Sequence, residues 1–216
     1  MFNRRNFRLV AFALTLYFFI TNILIGNYVL NAGTWGGGLK FLTNWNLLLN
    51  FIIASCALLN ERDSKFTHHY FLLPASMVLN ILVFALYWII KLLGGFGDAQ
   101  SGWTIFNVLK DYYMHFGTSV FLFIEVLFYS KAFQNLKKEY SVFMVIFIAY
   151  IVWMEVFLQN YNDIPCGTVT CGFPYLFLNN LNYVGRIIFY LVVWIMGHLS
   201  WIGCKKLVHG PQPNSV

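Results

Sequence analysis

The stretch from Tyr70 to Leu93, YFLLPASMVLNILVFALYWIIKLL, decides the fold class. Lys91 is its only charged residue. A helix needs about 20 predominantly apolar residues to cross the hydrocarbon core of a bilayer, and inside that core a helix satisfies its own backbone. The stretch therefore reads as a membrane-spanning helix. Two similar stretches precede it, Arg8 to Leu30 and Phe41 to Leu59. Three follow it, His115 to Tyr129, Tyr140 to Leu158 and Val184 to Cys204. The expected architecture is all-α, a six-transmembrane-helix bundle. It forms one integral membrane domain over residues 1–208, followed by a disordered tail at 209–216 rich in Pro, Gly, Asn and Ser.

Composition agrees with that reading. Of the 216 residues, 59% are hydrophobic, 20% aromatic and 10% charged, against about 25% charged in soluble domains. The net charge of +6 is not a nucleic-acid signature, because the 14 Lys and Arg form no basic stripe. They read as charges that set membrane topology. With the N-terminus in the cytoplasm, Arg4, Arg5, Arg8, Arg62, Lys65, Lys131, Lys137, Lys138, Lys205 and Lys206 fall on the cytoplasmic side. Only Lys40, Lys91, Lys110 and Arg186 fall opposite. Both termini are expected to face the cytoplasm. The first span follows Arg4 and Arg5 but is too long for a signal-peptide core, and it reads as a retained helix. The expected location is an endomembrane or plasma membrane, or the inner membrane of a bacterium. The bilayer is the expected environment.

Three loops then lie on the non-cytoplasmic face: Asn31 to Lys40, Gly94 to Met114 and Gln159 to Tyr183. Within the second, Trp103 to Tyr113 reads as a short interfacial helix. The third holds Cys166 and Cys171, which are expected to form a small-loop disulfide if that side is oxidising. Cys56 and Cys204 read as packing residues.

Thr43 and His115 each open a span at this same face. Thr43 has a structural reading, as a helix-capping or back-bonding hydroxyl. It also has a functional one, as a nucleophile that an imidazole must activate. His115 is the residue able to act as that base, and a His entering a membrane is a functional candidate by default. Asp111, four residues earlier, is placed to orient the imidazole if the helix extends that far back. Glu125, ten residues on, lies about 15 Å deeper, too deep to touch His115; it reads first as structural, with binding of a polar substrate group or a proton path as its other roles. Glu155 is the better acid for the edge of the site. Lys40 and Arg186 are cations at the same mouth, suited to a carboxylate head group. The amides from Gly38 to Thr43, or the side chain of Asn46, are candidates for an oxyanion hole. The run Gly36-Gly37-Gly38 also reads as a simple turn. No metal or cofactor is expected: there is no His-x-x-x-His or Cys-x-x-Cys pair. His198 and His115 lie near opposite membrane faces, and His68 and His69 fall in a cytoplasmic loop.

Several of these runs resemble a known family. Thr34-Trp35-Gly36-Gly37-Gly38-Leu39-Lys40-Phe41-Leu42-Thr43 resembles the segment ending in the catalytic Thr of the androgen-induced-gene family, which includes the androgen-dependent TFPI-regulating protein. Met114-His115, with Ile124-Glu125 further on, is similar to its catalytic-His helix. Phe173-Pro174-Tyr175-Leu176 and then Arg186-Ile187-Ile188-Phe189 resemble its late segment, and Trp88-Ile89-Ile90 at the end of the third span agrees too, all in the right order. The resemblance implies a multi-span hydrolase of fatty acid esters of hydroxy fatty acids, with Thr43 as nucleophile and His115 as base. Tyr112 stands where members usually carry a second His and is a substrate-binding candidate. Asn44 after the Thr is also unusual. The resulting expectation is an intramembrane lipid esterase, with a lipid as its substrate. The alternative is a non-catalytic lipid-binding membrane subunit or scaffold of the same fold. A transporter is a third reading, against which six spans without repeat symmetry argue.

Overall fold

The computed structural model describes residues 3–25, 35–62, 70–92, 104–130, 132–162, 165–166, 169–170 and 172–210. Its long elements are all helical: α1 (Arg4–Ile25), α2 (Leu42–Arg62), α3 (Leu73–Leu92), α4 (residues 105–129), α5 (Leu136–Tyr161) and α6 (Tyr183–His209). A two-residue antiparallel ladder, Pro165–Cys166 against Val169–Thr170, and a one-turn helix at Leu176–Asn179 lie between α5 and α6. Polar caps start several helices. The side chains of Asn3, Thr104, Asn135 and Asn182 each accept a backbone N–H from the first turn of α1, α4, α5 and α6 respectively. Pro74 sits in the first turn of α3, where its missing N–H has no cost.

Side-chain contacts fix the direction of each helix. Arg8, near the start of α1, bonds the Ala57 carbonyl near the end of α2. His115, early in α4, meets Thr43 at the start of α2, whereas Glu125, late in α4, meets Arg8. Tyr87 at the end of α3 bonds Asp111 of α4. Asn162, just past α5, bonds Trp35, and His209 at the end of α6 bonds the Phe133 carbonyl just before α5. Successive helices therefore alternate in direction between a Thr43 end and an Arg4 end. α3 is the hub. Its residues Leu73, Ala75, Met77, Val78, Leu79 and Leu82 are at most 1% exposed, and it packs on α2, α4, α5 and α6, while α1 lies chiefly on α2. α6 comes close to the hub at Gly197, where a Cβ would stand 2.6 Å from Phe143 and 3.2 Å from Leu82.

Five of the helices, α1, α2, α3, α5 and α6, are long and apolar enough to cross a membrane. α4 is not among them: it carries Lys110, Asp111, His115 and Glu125. Its start also corrects the sequence reading. The helix begins at Ile105 rather than His115, so the stretch expected to lie along the interface is its first two turns. Thr104 caps it, and Asp111 and His115 stabilise it as an (i, i+4) pair. α6 likewise runs on from Cys204 to His209, where Gly210 ends it with φ +68°. Residues 211–216, Cys171 with the expected Cys166–Cys171 disulfide, and His68 and His69 lie outside the described residues.

One buried cluster was not foreseen. Arg8, 2% exposed, is held between two carboxylates. Its Nε lies 3.1 Å from Glu125 Oε2, and its Nη1 lies 2.5 Å from Glu61 Oε1. Ser130 donates to Glu125, and Arg4 pairs with Glu61 at 2.6 Å. A buried guanidinium is tolerated only with such partners, so Arg8 links α1, α2 and α4 at the end away from Thr43.

Candidate active site

The first turn of α2 is set by the loop before it. Asn162 holds Trp35 from both sides, accepting its N–H at 2.6 Å and donating to its carbonyl at 2.9 Å. Gly36 follows with φ +83°, where a Cβ would stand 2.5 Å from Leu158, so only glycine fits this turn. Residues Gly37–Lys40 form a 3-10 turn, and side chains take three of its carbonyls, those of Gly38, Leu39 and Lys40. Asn44 donates to Gly38 O at 2.7 Å, Trp45 and Trp153 both donate to Leu39 O, and Tyr150 donates to Lys40 O at 2.9 Å. The Leu42 N–H donates to Tyr175 Oη at 3.3 Å. Thr43 is the next residue, half-buried in a rigid first turn.

His115 comes from the other side. It lies in a π-helical turn of α4, Tyr113–Gly117, a local widening often found at functional sites. Its Nδ1 lies 2.9 Å from the Asp111 carbonyl oxygen and 3.2 Å from Asp111 Oδ1. Both neighbours are acceptors, so Nδ1 carries the proton and Nε2 presents its lone pair. Nε2 lies 3.4 Å from Thr43 Oγ1. That is long for a hydrogen bond to a hydroxyl, as such contacts often are before a substrate tightens them. Tyr87 of α3 stacks on the imidazole, with ring centroids 3.7 Å apart and 19° between planes. Its hydroxyl donates to Asp111 Oδ2 and accepts from Lys91 Nζ at 2.9 Å. Hydroxyl, imidazole and carboxylate thus stand in line, contributed by α2 and α4 and braced by α3.

The structure brings together Thr43, His115 and Asp111 of the residues singled out from sequence, and it separates the others. Gly38 lies in the turn before Thr43, its carbonyl engaged by Asn44. Asn46, 1% exposed, donates to Asn80 Oδ1 at 3.0 Å, because a buried amide must find a partner. It belongs to a cluster with Asn50, Ser76 and Ser119 rather than to an oxyanion hole. Glu125 is Arg8's partner. Arg186 and Glu155 pair with each other at 2.9 Å, and Tyr190 also donates to Glu155, so both charges are neutralised between α5 and α6. Lys40 stands over the Phe41 ring, and burial lowers its ammonium below the usual lysine pKa. Tyr112 is 53% exposed, with its ring near Trp88. His198 is bonded to Tyr140 at 3.1 Å. Sequence reasoning missed Tyr87 and Lys91. Their (i, i+4) spacing at the end of α3 was the available signal.

Beside the site, α3 and α4 enclose an apolar groove of about 390 Å3. Phe116, next to His115, and Phe84, one turn from Tyr87, line its near end. Phe123, Ile124 and Leu127 line its far end.

Fold and site together define a multi-pass α-helical membrane protein with a hydroxyl–imidazole–carboxylate cluster at one end of its bundle. The chain belongs to the FAR-17a/AIG1-like protein family, whose model matches residues 6–209. No curated protein and no solved structure matches it.

Proposed function

We propose that the chain is an intramembrane lipid esterase in which Thr43 is the nucleophile and His115 the base. The observation that carries this reading is the Thr43 Oγ1–His115 Nε2 contact, with Nδ1 facing two Asp111 oxygens. In the first step His115 Nε2 takes the Thr43 proton as Oγ1 attacks the ester carbonyl. The negative charge on the carbonyl oxygen meets the Thr43 N–H, for which no acceptor exists among the described residues, at the positive end of α2. His115 then protonates the departing alkoxide and leaves an acyl-Thr43, which water hydrolyses. Asp111 stabilises the imidazolium in each step.

The proposed substrate class is supported by the apolar surroundings of the site and by the resemblance to the family. A lipid ester enters sideways from the bilayer, and an acyl chain suits the groove that begins at Phe116. Fatty acid esters of hydroxy fatty acids are the favoured substrates. α4 is then the sixth crossing. It alternates in direction with the other five and, at about 1.5 Å per residue, is long enough to span. The charge bias puts both termini in the cytoplasm and the Thr43 end on the opposite side. The whole of residues 1–208 acts as one domain.

The test is fatty acid release from a panel of lipid esters by wild type, Thr43→Ala and His115→Ala in membranes. Both variants are expected to lose hydrolysis by at least about 10^3-fold. A wild type that binds the esters but cleaves none of them points to the lipid-binding scaffold instead.

A further inference from the structure

Between α1, α2 and α4 the bundle leaves a cavity of about 30 Å3. It lies between the Thr43–His115 pair and the Arg8–Glu125 pair. Thr118 on its wall is one turn past His115, about 4.5 Å further along α4. Arg8, Thr15, Asn50, Thr118 and Glu125 bring polar atoms to a wall that is otherwise hydrocarbon. Thr118 is 2% exposed, and its hydroxyl has no hydrogen-bond partner among the described residues. One turn from Thr43, the Oδ1 of Asn46 is also buried and unpartnered. An unsatisfied buried group costs roughly 1–3 kcal/mol, and native proteins meet such groups with ordered water. A water needs about 10–15 Å3 on this measure and 2–4 polar partners. The cavity has the room; beside the unpartnered Thr118 hydroxyl, Thr15 Oγ1, which donates to Ala11 O, can still accept, and Asn50 Nδ2, which donates to Asn46 O, has a second proton to give.

We propose that this cavity is a built-in water site, held by Thr118, Asn50 and Thr15, and that it supplies the water that hydrolyses the acyl-enzyme. The proposal rests on the reading that Thr43 is acylated. Polar groups follow one another toward the site: Arg8 of α1 with Glu125 of α4 at the far end, then Asn50 of α2 and Thr118 of α4 on the cavity wall, then Asn46, one turn of α2 closer to Thr43. In the hydrolytic step a water oxygen attacks the acyl carbonyl carbon while His115 Nε2 takes one of its protons. The bond between that carbon and Thr43 Oγ1 breaks, and His115 returns the proton to Oγ1. The carboxylic acid leaves with the water's oxygen and its second proton. A lipid ester fills the mouth of the site with hydrocarbon, so a supply from beneath keeps water available while the acyl group is still attached.

Two variants test this in the full-length protein. Thr118→Val removes the hydroxyl and keeps the volume, and Ala54→Leu fills the cavity, of which Ala54 is a wall residue. Two rates are compared: labelling of Thr43 by a fluorophosphonate, which needs no hydrolytic water, and turnover of a p-nitrophenyl fatty acid ester. Labelling is expected to stay within about 2-fold of wild type. Turnover is expected to fall about 10-fold or more, with a burst of p-nitrophenol and acyl-Thr43 accumulating by mass spectrometry. Thr118→Ser is expected to restore turnover. Unchanged turnover in both variants overturns the proposal, because water then arrives by another route. A parallel fall of labelling and turnover overturns it too, because the cavity is then only structural. Absence of label from Thr43 in wild type refutes the esterase reading itself, and the hydrolytic role of the cavity with it.

Discussion

Asp111→Asn separates two ways of holding the imidazole. In a triad held by a carboxylate alone, the amide can turn its NH2 toward Nδ1, impose the wrong tautomer and cost about 10^4-fold in rate. Here His115 Nδ1 has a second acceptor, the Asp111 main-chain carbonyl at 2.9 Å, closer than the carboxylate oxygen at 3.2 Å. The substitution leaves that carbonyl in place, so the tautomer survives. What is lost is the carboxylate's stabilisation of the imidazolium. A hydrogen bond to a charged group contributes roughly 1.5–3 kcal/mol, and the Asp111 side chain is 38% exposed, which favours the lower end. The expected loss is about 10-fold, with an upper limit near 10^2-fold. Initial rates of ester hydrolysis, normalised to the amount of folded protein, provide the assay. Tyr87→Phe is the companion, since it removes the donor to Asp111 Oδ2 and keeps the ring stacked on His115. Its loss should be smaller than that of Asp111→Asn. A 10^4-fold loss in Asp111→Asn would refute the dual-acceptor argument, and an unchanged rate would remove Asp111 from the mechanism.

Three further outcomes follow from the structure. Val120→Trp intrudes on the groove between α3 and α4 and should shift preference toward shorter acyl chains. Each excluded methylene lowers kcat/KM by about fourfold, from ~0.8 kcal/mol per buried CH2, and a flat chain-length profile in the variant would exclude the groove as the acyl site. Gly36→Ala meets both a left-handed backbone and a Cβ position 2.5 Å from Leu158. It should cost at least ~1–2 kcal/mol and slow labelling at Thr43, read by thermal unfolding in detergent alongside labelling rate. Arg8→Met leaves Glu61 and Glu125 without their buried partner and should destabilise by ~3–5 kcal/mol. A melting temperature equal to wild type would contradict the role given to that cluster.

Much of the fold was legible because hydropathy reports burial in lipid directly: five stretches read as apolar runs became long helices. α4 was read too short because Lys110 and Asp111 look like loop residues in a hydropathy pattern. In the bundle Asp111 meets His115, Tyr87 and Lys91, and those partners permit a charged first half. The Thr43–His115 meeting was legible because hydropathy and the charge bias put both residues at the same end of the bundle, although His115 lies ten residues into α4 rather than at its start. Two of the charges read at the mouth, Arg186 and Glu155, proved to be paired with each other, because an apolar bundle makes an isolated ion costly. Arg8 was read as a surface topogenic charge, and nothing local in its sequence points to Glu61 and Glu125. Those partners are 53 and 117 residues away. The clamps that position Thr43, from Trp45, Tyr150, Trp153, Asn162 and Tyr175, are likewise mostly long-range. They look like ordinary interfacial aromatics and loop polars until the chain is folded.

The central claim is that the Thr43 hydroxyl, activated by His115, is the nucleophile. Treating membranes with a fluorophosphonate and mapping the adduct by peptide mass spectrometry tests it most directly. The account predicts a single phosphonylated residue, Thr43, with no adduct in either Thr43→Ala or His115→Ala. An adduct on another residue, or full labelling of Thr43→Ala, would contradict it.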